Sequence, residues 1–254
     1  MSRIVVFDSG LGSLSIIKAI QKTSKAEIIY FADQKSYPYG KKSQAQLSKI
    51  IQNSIELIEE NFTPNIIVMA SNTPSLLLNV ATRKIIDVKP PLIEAKKKSK
   101  TKEIGILATR SAIYSKGLSQ YIKANNVSKN FKFFKINGSE LVDLVESGKF
   151  ISNKKYCLKI IKKILDEKLS SSNIDTVTLS STHLPFLKTF LKKQYPKIHF
   201  IDPANLVAKK IHLKIKNNQN KKNSLKIFAT GNTITFQRKL NKIGIKNKVN
   251  SITS

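Results

Sequence analysis

Two segments of this chain share one design, and together they restrict its fold more than anything else in it. Asn65-Ile-Ile-Val-Met-Ala-Ser-Asn-Thr-Pro74 and Asp175-Thr-Val-Thr-Leu-Ser-Ser-Thr-His-Leu-Pro185 each run through apolar and β-branched residues into a small polar cluster. A proline then opens a helical stretch. The same slot holds a serine in both, Ser71 and Ser181. A strand that ends in a polar loop and continues as a helix is the repeating unit of a parallel α/β sheet. Two copies of it predict two similar half-domains serving one site.

The rest of the chain keeps this alternation. Strands are expected at Ile4–Phe7, Ile28–Phe31, Ile66–Met69, Leu92–Ile93, Ile104–Leu107, Lys132–Lys135, Thr176–Leu179, His199–Ile201 and Leu225–Phe228. Between them, Leu47–Ile58, Leu76–Ile86, Tyr156–Leu169 and Leu206–Ile215 carry apolar residues every three or four positions, the helical period. The pattern predicts doubly wound parallel sheets. At 254 residues the chain is long enough for one large domain or two smaller ones.

In such folds ligands bind beyond the carboxyl ends of strands. The residues standing there are Asp8-Ser9-Gly10, Asp33, Ser71-Asn72-Thr73, Glu94, Thr109 with Ser111, Asn137-Gly138, Ser181-Thr182-His183, Asp202 and Thr230-Gly231-Asn232. Small hydrogen-bonding groups recur at almost every strand end, which implies a polar small-molecule site. Each residue taken alone also reads as a helix N-cap, satisfying the free amides of a first turn. Capping and anion binding can share a loop, because a helix N-terminus offers both amides and a favourable dipole.

Charge bounds the partners. Lys+Arg total 45 against 16 Asp+Glu, a net charge of +29. Only Arg3, Arg83, Arg110 and Arg238 are arginine, whereas nucleic-acid surfaces draw on arginine to fork onto phosphate and guanine. Lysines spread over solvated helix faces are the simpler reading, and a nucleic-acid partner is the weaker one. Either way the field draws small anions inward. Cys157, the one cysteine, falls on the apolar side of a helical stretch and leaves no intrachain disulfide, consistent with a reducing cytoplasm. The opening Met-Ser-Arg runs straight into a strand too short for a signal peptide, and no apolar run is long enough to span a membrane.

With those residues in place a resemblance emerges. Val6-Phe-Asp-Ser-Gly-Leu-Gly-Ser-Leu-Ser15 resembles the FDSGxGGLS opening of glutamate racemases, in the aspartate/glutamate racemase superfamily. Tyr30-Phe-Ala-Asp33 with Tyr37-Pro-Tyr-Gly40 and Ser43 is similar to their YFxD…PYGxxS. Ala70-Ser-Asn-Thr73 stands at their CNT triplet, and Gly105-Ile-Leu-Ala-Thr109 at their GxxGT strand end. Leu141-Val-Asp-Leu-Val-Glu146 resembles LVPLVE, and Ser180-Ser-Thr-His-Leu-Pro185 stands at GCTHYP. Ile201-Asp202 and Phe228-Ala-Thr-Gly231 match late positions.

The resemblance implies two α/β domains related by a pseudo-two-fold, residues 1–93 with 206–254 and residues 94–205, with the active-site cleft between them. It implies interconversion of L- and D-glutamate without cofactor or metal, supplying D-glutamate for peptidoglycan. One thiolate removes the α-proton and an opposed thiol returns a proton to the other face. Both thiol positions are serine here. Ser71 and Ser181 are therefore the expected catalytic positions, assisted by Asp8 and His183. Asp8, Ser9, Tyr39, Gly40, Asn72, Thr73, Thr109, Thr182 and His183 are the expected substrate contacts. The resembled family often forms dimers, which makes a homodimer one option and leaves the oligomeric state open.

Milder departures are Ala112 for a threonine, Ser13 for a glycine, Leu184 for a tyrosine and Pro203 for a serine. A hydroxyl is far less acidic than a thiol and needs an adjacent base. Two explanations fit a site that keeps its binding groups and loses both thiols. Either they were exchanged in a working enzyme to trap ligand, or the natural chain has moved to acidic-amino-acid binding or another reaction.

Overall fold

The structure, a computed structural model, describes residues 2–253. They form ten strands: β1 (Arg3–Asp8), β2 (Glu27–Ala32), β3 (Ile66–Met69), β4 (Ile85–Asp87), β5 (Glu103–Ala108), β6 (Lys132–Asn137), β7 (Thr176–Ser180), β8 (His199–Ile201), β9 (Ser224–Ala229) and β10 (Val249–Ser251). Two compact units result. One runs to Val88 and resumes at Ala204; the other is Lys89–Pro203.

The first unit is a six-stranded sheet in the order β10-β9-β2-β1-β3-β4, every pair parallel. Its central strands are apolar throughout because both faces are covered. Side chains alternate across a strand. Val5, Phe7, Ile29, Phe31, Ile67 and Met69 therefore form one core with Leu47, Ile51, Ile58 and Phe62 of the helix Gln44–Phe62. That helix begins in a capping box, Ser43 Oγ accepting from the Gln46 amide while Gln46 returns an acceptor to the Ser43 amide. The alternate residues face the other way, where the Tyr30 ring meets Phe236 of the helix Thr233–Lys242 edge-on at 5.8 Å. Burying each large side chain contributes roughly 1.5–3 kcal/mol.

The second unit is a four-stranded parallel sheet, β6-β5-β7-β8. Gly105 lets it pack closely: a Cβ there would stand 3.1 Å from both Ile136 and Val177 side chains. Cys157 is buried in the helix Lys154–Ser170, and burial pushes its thiol up to about 11. Among the described residues no helix is long and apolar enough to cross a membrane.

Two expected elements are corrected. Leu92–Ile93 is no strand but the start of the helix Leu92–Lys98, entered directly from Pro90-Pro91. Proline presets the backbone angle of a first turn and lacks the amide a strand would use. The helix expected over Leu76–Ile86 stops early. It spans Asn72–Leu77, and β4 follows on the edge of the sheet, pairing Ile85–Asp87 with Ile67–Met69. Glu94 accordingly lies in a helix's first turn, not at a strand end.

Candidate functional site

In the first unit the polar loops gather at the carboxyl edge of the sheet. Register sets β1 beside β3, pairing Phe7 with Met69, and β1 beside β2, pairing Asp8 with Ala32. The Asp8-Ser9 end thus neighbours both the Ser71-Asn72-Thr73 loop and Asp33. Asp8 is buried and its Oδ1 accepts the Ser9 amide at 2.7 Å. The Ser9 carbonyl in turn accepts from the Gln34 amide nitrogen Nε2.

A second network braces this edge. The Thr230 hydroxyl donates to Asp33 Oδ1 at 2.8 Å and accepts the Lys35 amide at 3.1 Å. The Tyr39 hydroxyl donates to Asp33 Oδ2 at 3.3 Å. Burial, then the charges of Asp33 and Asp8, hold the Tyr39 phenol well above its ordinary range. Tyr39 is therefore a permanent donor near neutral pH. Gly40, beside it, is half-buried in the turn Tyr39–Lys41.

Ser71 is the extended residue before the helix Asn72–Leu77, and its side chain makes no capping bond. The N-cap alternative therefore fails for this residue. Its carbonyl accepts the buried Ser75 hydroxyl at 2.7 Å, and that hydroxyl accepts the Val88 amide at 3.1 Å. Asn72 and Thr73 are buried, and both amide atoms of Asn72 lack a partner within the protein. A buried amide left this way marks a place where a polar ligand or water completes the bonding.

The second unit repeats the plan. Pairing of Ala108 with Ser180 sets Thr109 beside the Ser181-Thr182-His183 loop. Thr109 does act as a cap, accepting the Ala112 amide at 3.4 Å, and Ala112, which the resemblance sets where a threonine is usual, is buried. Asn232 is likewise a cap, for the helix Thr233–Lys242. Ser181, Thr182 and His183 are buried at 6%, 2% and 5% exposure, and the loop tightens into the turn Leu184–Leu187 with Pro185 in it.

Sequence reasoning missed one residue here. Glu146, the last residue of the helix Ser139–Glu146, is buried, and its Oε2 lies 3.1 Å from His183 Nε2. A buried carboxylate demands such a partner. The signal was present: a glutamate closing a Leu-Val-Asp-Leu-Val stretch that is apolar but for Asp143, within a segment already matched to a family motif. Among the described residues no cluster of three His, Cys, Asp or Glu could hold a metal ion.

Two parallel α/β units, each with a small polar loop at its strand ends, define a protein of the small-molecule-binding α/β class. No family model matches the chain. Individual proteins do. A glutamate racemase of Sulfurihydrogenibium sp. is 31% identical over 243 residues, covering 92% of this chain and 91% of that protein. The crystal structure of the glutamate racemase isoform RacE1 from Bacillus anthracis matches with a TM-score of 0.86, covering 99% and 97% of the two chains at 23% identity. That of Escherichia coli glutamate racemase, in complex with L-glutamate and the activator UDP-MurNAc-Ala, matches with a TM-score of 0.83 over 99% and 98% at 22% identity. The structures share the fold; the sequence relative shows the kinship. This chain belongs to the glutamate racemase family.

Proposed function

We propose that the chain binds glutamate or a closely related acidic amino acid through Asp8, Ser9, Tyr39, Gly40, Asn72, Thr73, Thr109, Thr182 and His183, and that inversion at the α-carbon is slowed by its two serines. Inversion without a cofactor needs one acid/base for each face of the carbon. The duplicated loops supply one position each, Ser71 and Ser181, with Asp8 and His183 beside them in sequence or register. A thiol ionises near pH ~8.5 in model peptides and proteins lower that readily. A hydroxyl lies far from the working pH, where proton transfer is inefficient. Two such replacements together cost several orders of magnitude in rate.

The observation that carries this reading is the buried His183–Glu146 pair. A histidine fixed by a buried carboxylate two residues from Ser181 holds its ring ready for acid–base chemistry as well as for substrate contact. A second reading, a non-catalytic binding protein for acidic amino acids, is favoured by the absence of both thiols. On the first reading the physiological product is D-glutamate for peptidoglycan, made in the cytoplasm by a homodimer. The +29 charge then concentrates anionic substrate and is not a nucleic-acid surface.

Calorimetry with L- and D-glutamate tests binding, and the Ser71→Cys/Ser181→Cys double variant tests the scaffold. Glutamate binding, with strong racemisation by the double variant, is the expected result. A protein that binds no acidic amino acid, and whose double variant leaves both enantiomers unchanged, overturns it.

A further inference from the structure

We propose that loss of both thiols has left this protein with an effective base in one loop only, so that it exchanges the α-hydrogen of a single glutamate enantiomer with solvent and retains its configuration. The inference rests on the glutamate-binding reading above and goes beyond it in naming the reaction that remains.

The two loops differ in what surrounds the serine. In the second unit, Ser181 is followed by Thr182 and His183, and His183 Nε2 meets Glu146 Oε2 at 3.1 Å with both side chains buried. A hydroxyl two residues from an imidazole that a buried carboxylate fixes and supports supplies the three groups by which oxygen is activated. An imidazole also changes charge near neutral pH, which suits it to take a proton and give it back.

The first unit has no counterpart. Asp8 ends the strand β1 that pairs with β3, so it neighbours the Ser71 loop, and the network behind it is Asp33, Thr230 and Tyr39. Carboxylates as a class ionise near pH ~4 and are much weaker bases than imidazole. Tyr39 keeps its proton. Three histidines exist in the chain, and the one in this unit, His212, faces Ser24 at 3.3 Å. Ser24 caps the end of the helix Ser13–Thr23, just before β2 begins, at the amino edge of the sheet. Among the described residues, then, the first unit brings no imidazole of its own to the Ser71 loop.

The proton accounting closes within the site. The Cα–H bond breaks, its proton passes to the Ser181 oxygen as that hydroxyl hands its own proton to His183, and the electron pair spreads into the substrate carboxyl group. The charged imidazole is stabilised by Glu146. Its hydron exchanges with solvent and returns by the same route to the same face. No oxidant, reductant or second substrate enters, and configuration is unchanged.

Proton NMR of L- and D-glutamate, incubated separately with concentrated protein in D2O, tests this alongside chiral analysis of the recovered amino acid. One enantiomer is expected to lose its α-proton signal about a hundredfold faster than the other, in the range a positioned acid/base contributes, and to be recovered unchanged in configuration. Glu146→Gln, which leaves every substrate contact in place, is expected to suppress that exchange while calorimetry still detects glutamate; His183→Gln is expected to abolish the exchange and to weaken binding as well. Equal exchange from both enantiomers, or the opposite enantiomer appearing as fast as the label, overturns the inference. Glutamate that binds without exchange overturns it too and leaves the binding reading standing. Glutamate that does not bind at all overturns both.

Discussion

The hydroxyl of Ser75 joins two points of the backbone, donating to the Ser71 carbonyl at 2.7 Å and accepting the Val88 amide at 3.1 Å. Val88 is the last residue before the chain leaves the first unit. One small buried side chain thus fixes the loop carrying Ser71 to the strand end that leads out of the sheet. Ser75→Ala strands a buried amide and weakens the support of a carbonyl. It should cost about 1–3 kcal/mol, read from the midpoint of urea denaturation. Ser75→Thr, which keeps the hydroxyl, should cost less; equal losses in the two variants would show that packing and not hydrogen bonding matters there.

Glu146 should prove far more important to stability than a helix-terminal glutamate ordinarily is. It is buried against His183, and removing one member of a buried pair leaves the other without its partner. Glu146→Ala is expected to destabilise the protein by about 3–5 kcal/mol. Glu140, exposed and paired with Lys163 in solvent, is the control from the same helix; its alanine variant should change stability by less than about 1 kcal/mol. Chemical denaturation of both variants measures the contrast, and similar losses would refute it.

Cys157 makes stability fall in mild alkali. Its thiol is held up to about 11 by burial, against an ordinary value near 9. Below the ordinary value both folded and unfolded chains carry the proton, and the contribution is fully present. As pH rises above 9 the unfolded chain loses that proton while the folded chain keeps it, so stability declines until the folded thiol titrates. The loss is at most about 3 kcal/mol. Tyr39, also held protonated by burial, adds to the decline at higher pH. Urea midpoints measured from pH 8 to 11 should drop for the natural chain and drop less for Cys157→Ala; parallel curves would remove Cys157 as the cause.

Much of the fold was legible because a parallel sheet covered on both faces leaves near-continuous apolar strands, as in Val5–Phe7, Ile28–Phe31 and Ile66–Met69. Where the sequence misled, a local signal was outweighed by a tertiary one. Leu76, Leu77, Leu78 and Val80 carry helical spacing, yet the helix ends at Leu77, and Ile85–Asp87 gains a strand partner in β3. β10 went unseen because Val-Asn-Ser is short, polar and held only at the edge by β9. In the site, loop residues announced themselves as small polar clusters after apolar runs. Glu146 did not, since a charged residue closing a helix reads as solvated until another loop is known to set a histidine against it.

The two serine positions should differ once a thiol is placed at either. A cysteine introduced by Ser181→Cys lies two residues from His183, whose imidazole is braced by Glu146, and a neighbouring imidazole favours the thiolate. One introduced by Ser71→Cys lies in the loop just past β3, which neighbours the Asp8 end of β1, where a like charge disfavours it. Iodoacetamide attacks thiolates, so the Ser181→Cys variant should be alkylated at pH 7 about tenfold faster than the Ser71→Cys variant, a difference of roughly one pKa unit in thiolate content. Cys157, buried and held protonated, is an internal reference that should react slowest in both proteins. Peptide mass spectrometry after timed labelling separates the three sites. Equal rates at the two introduced thiols, or a faster rate at position 71, would show that His183 and Asp8 do not impose opposite electrostatics on the duplicated loops.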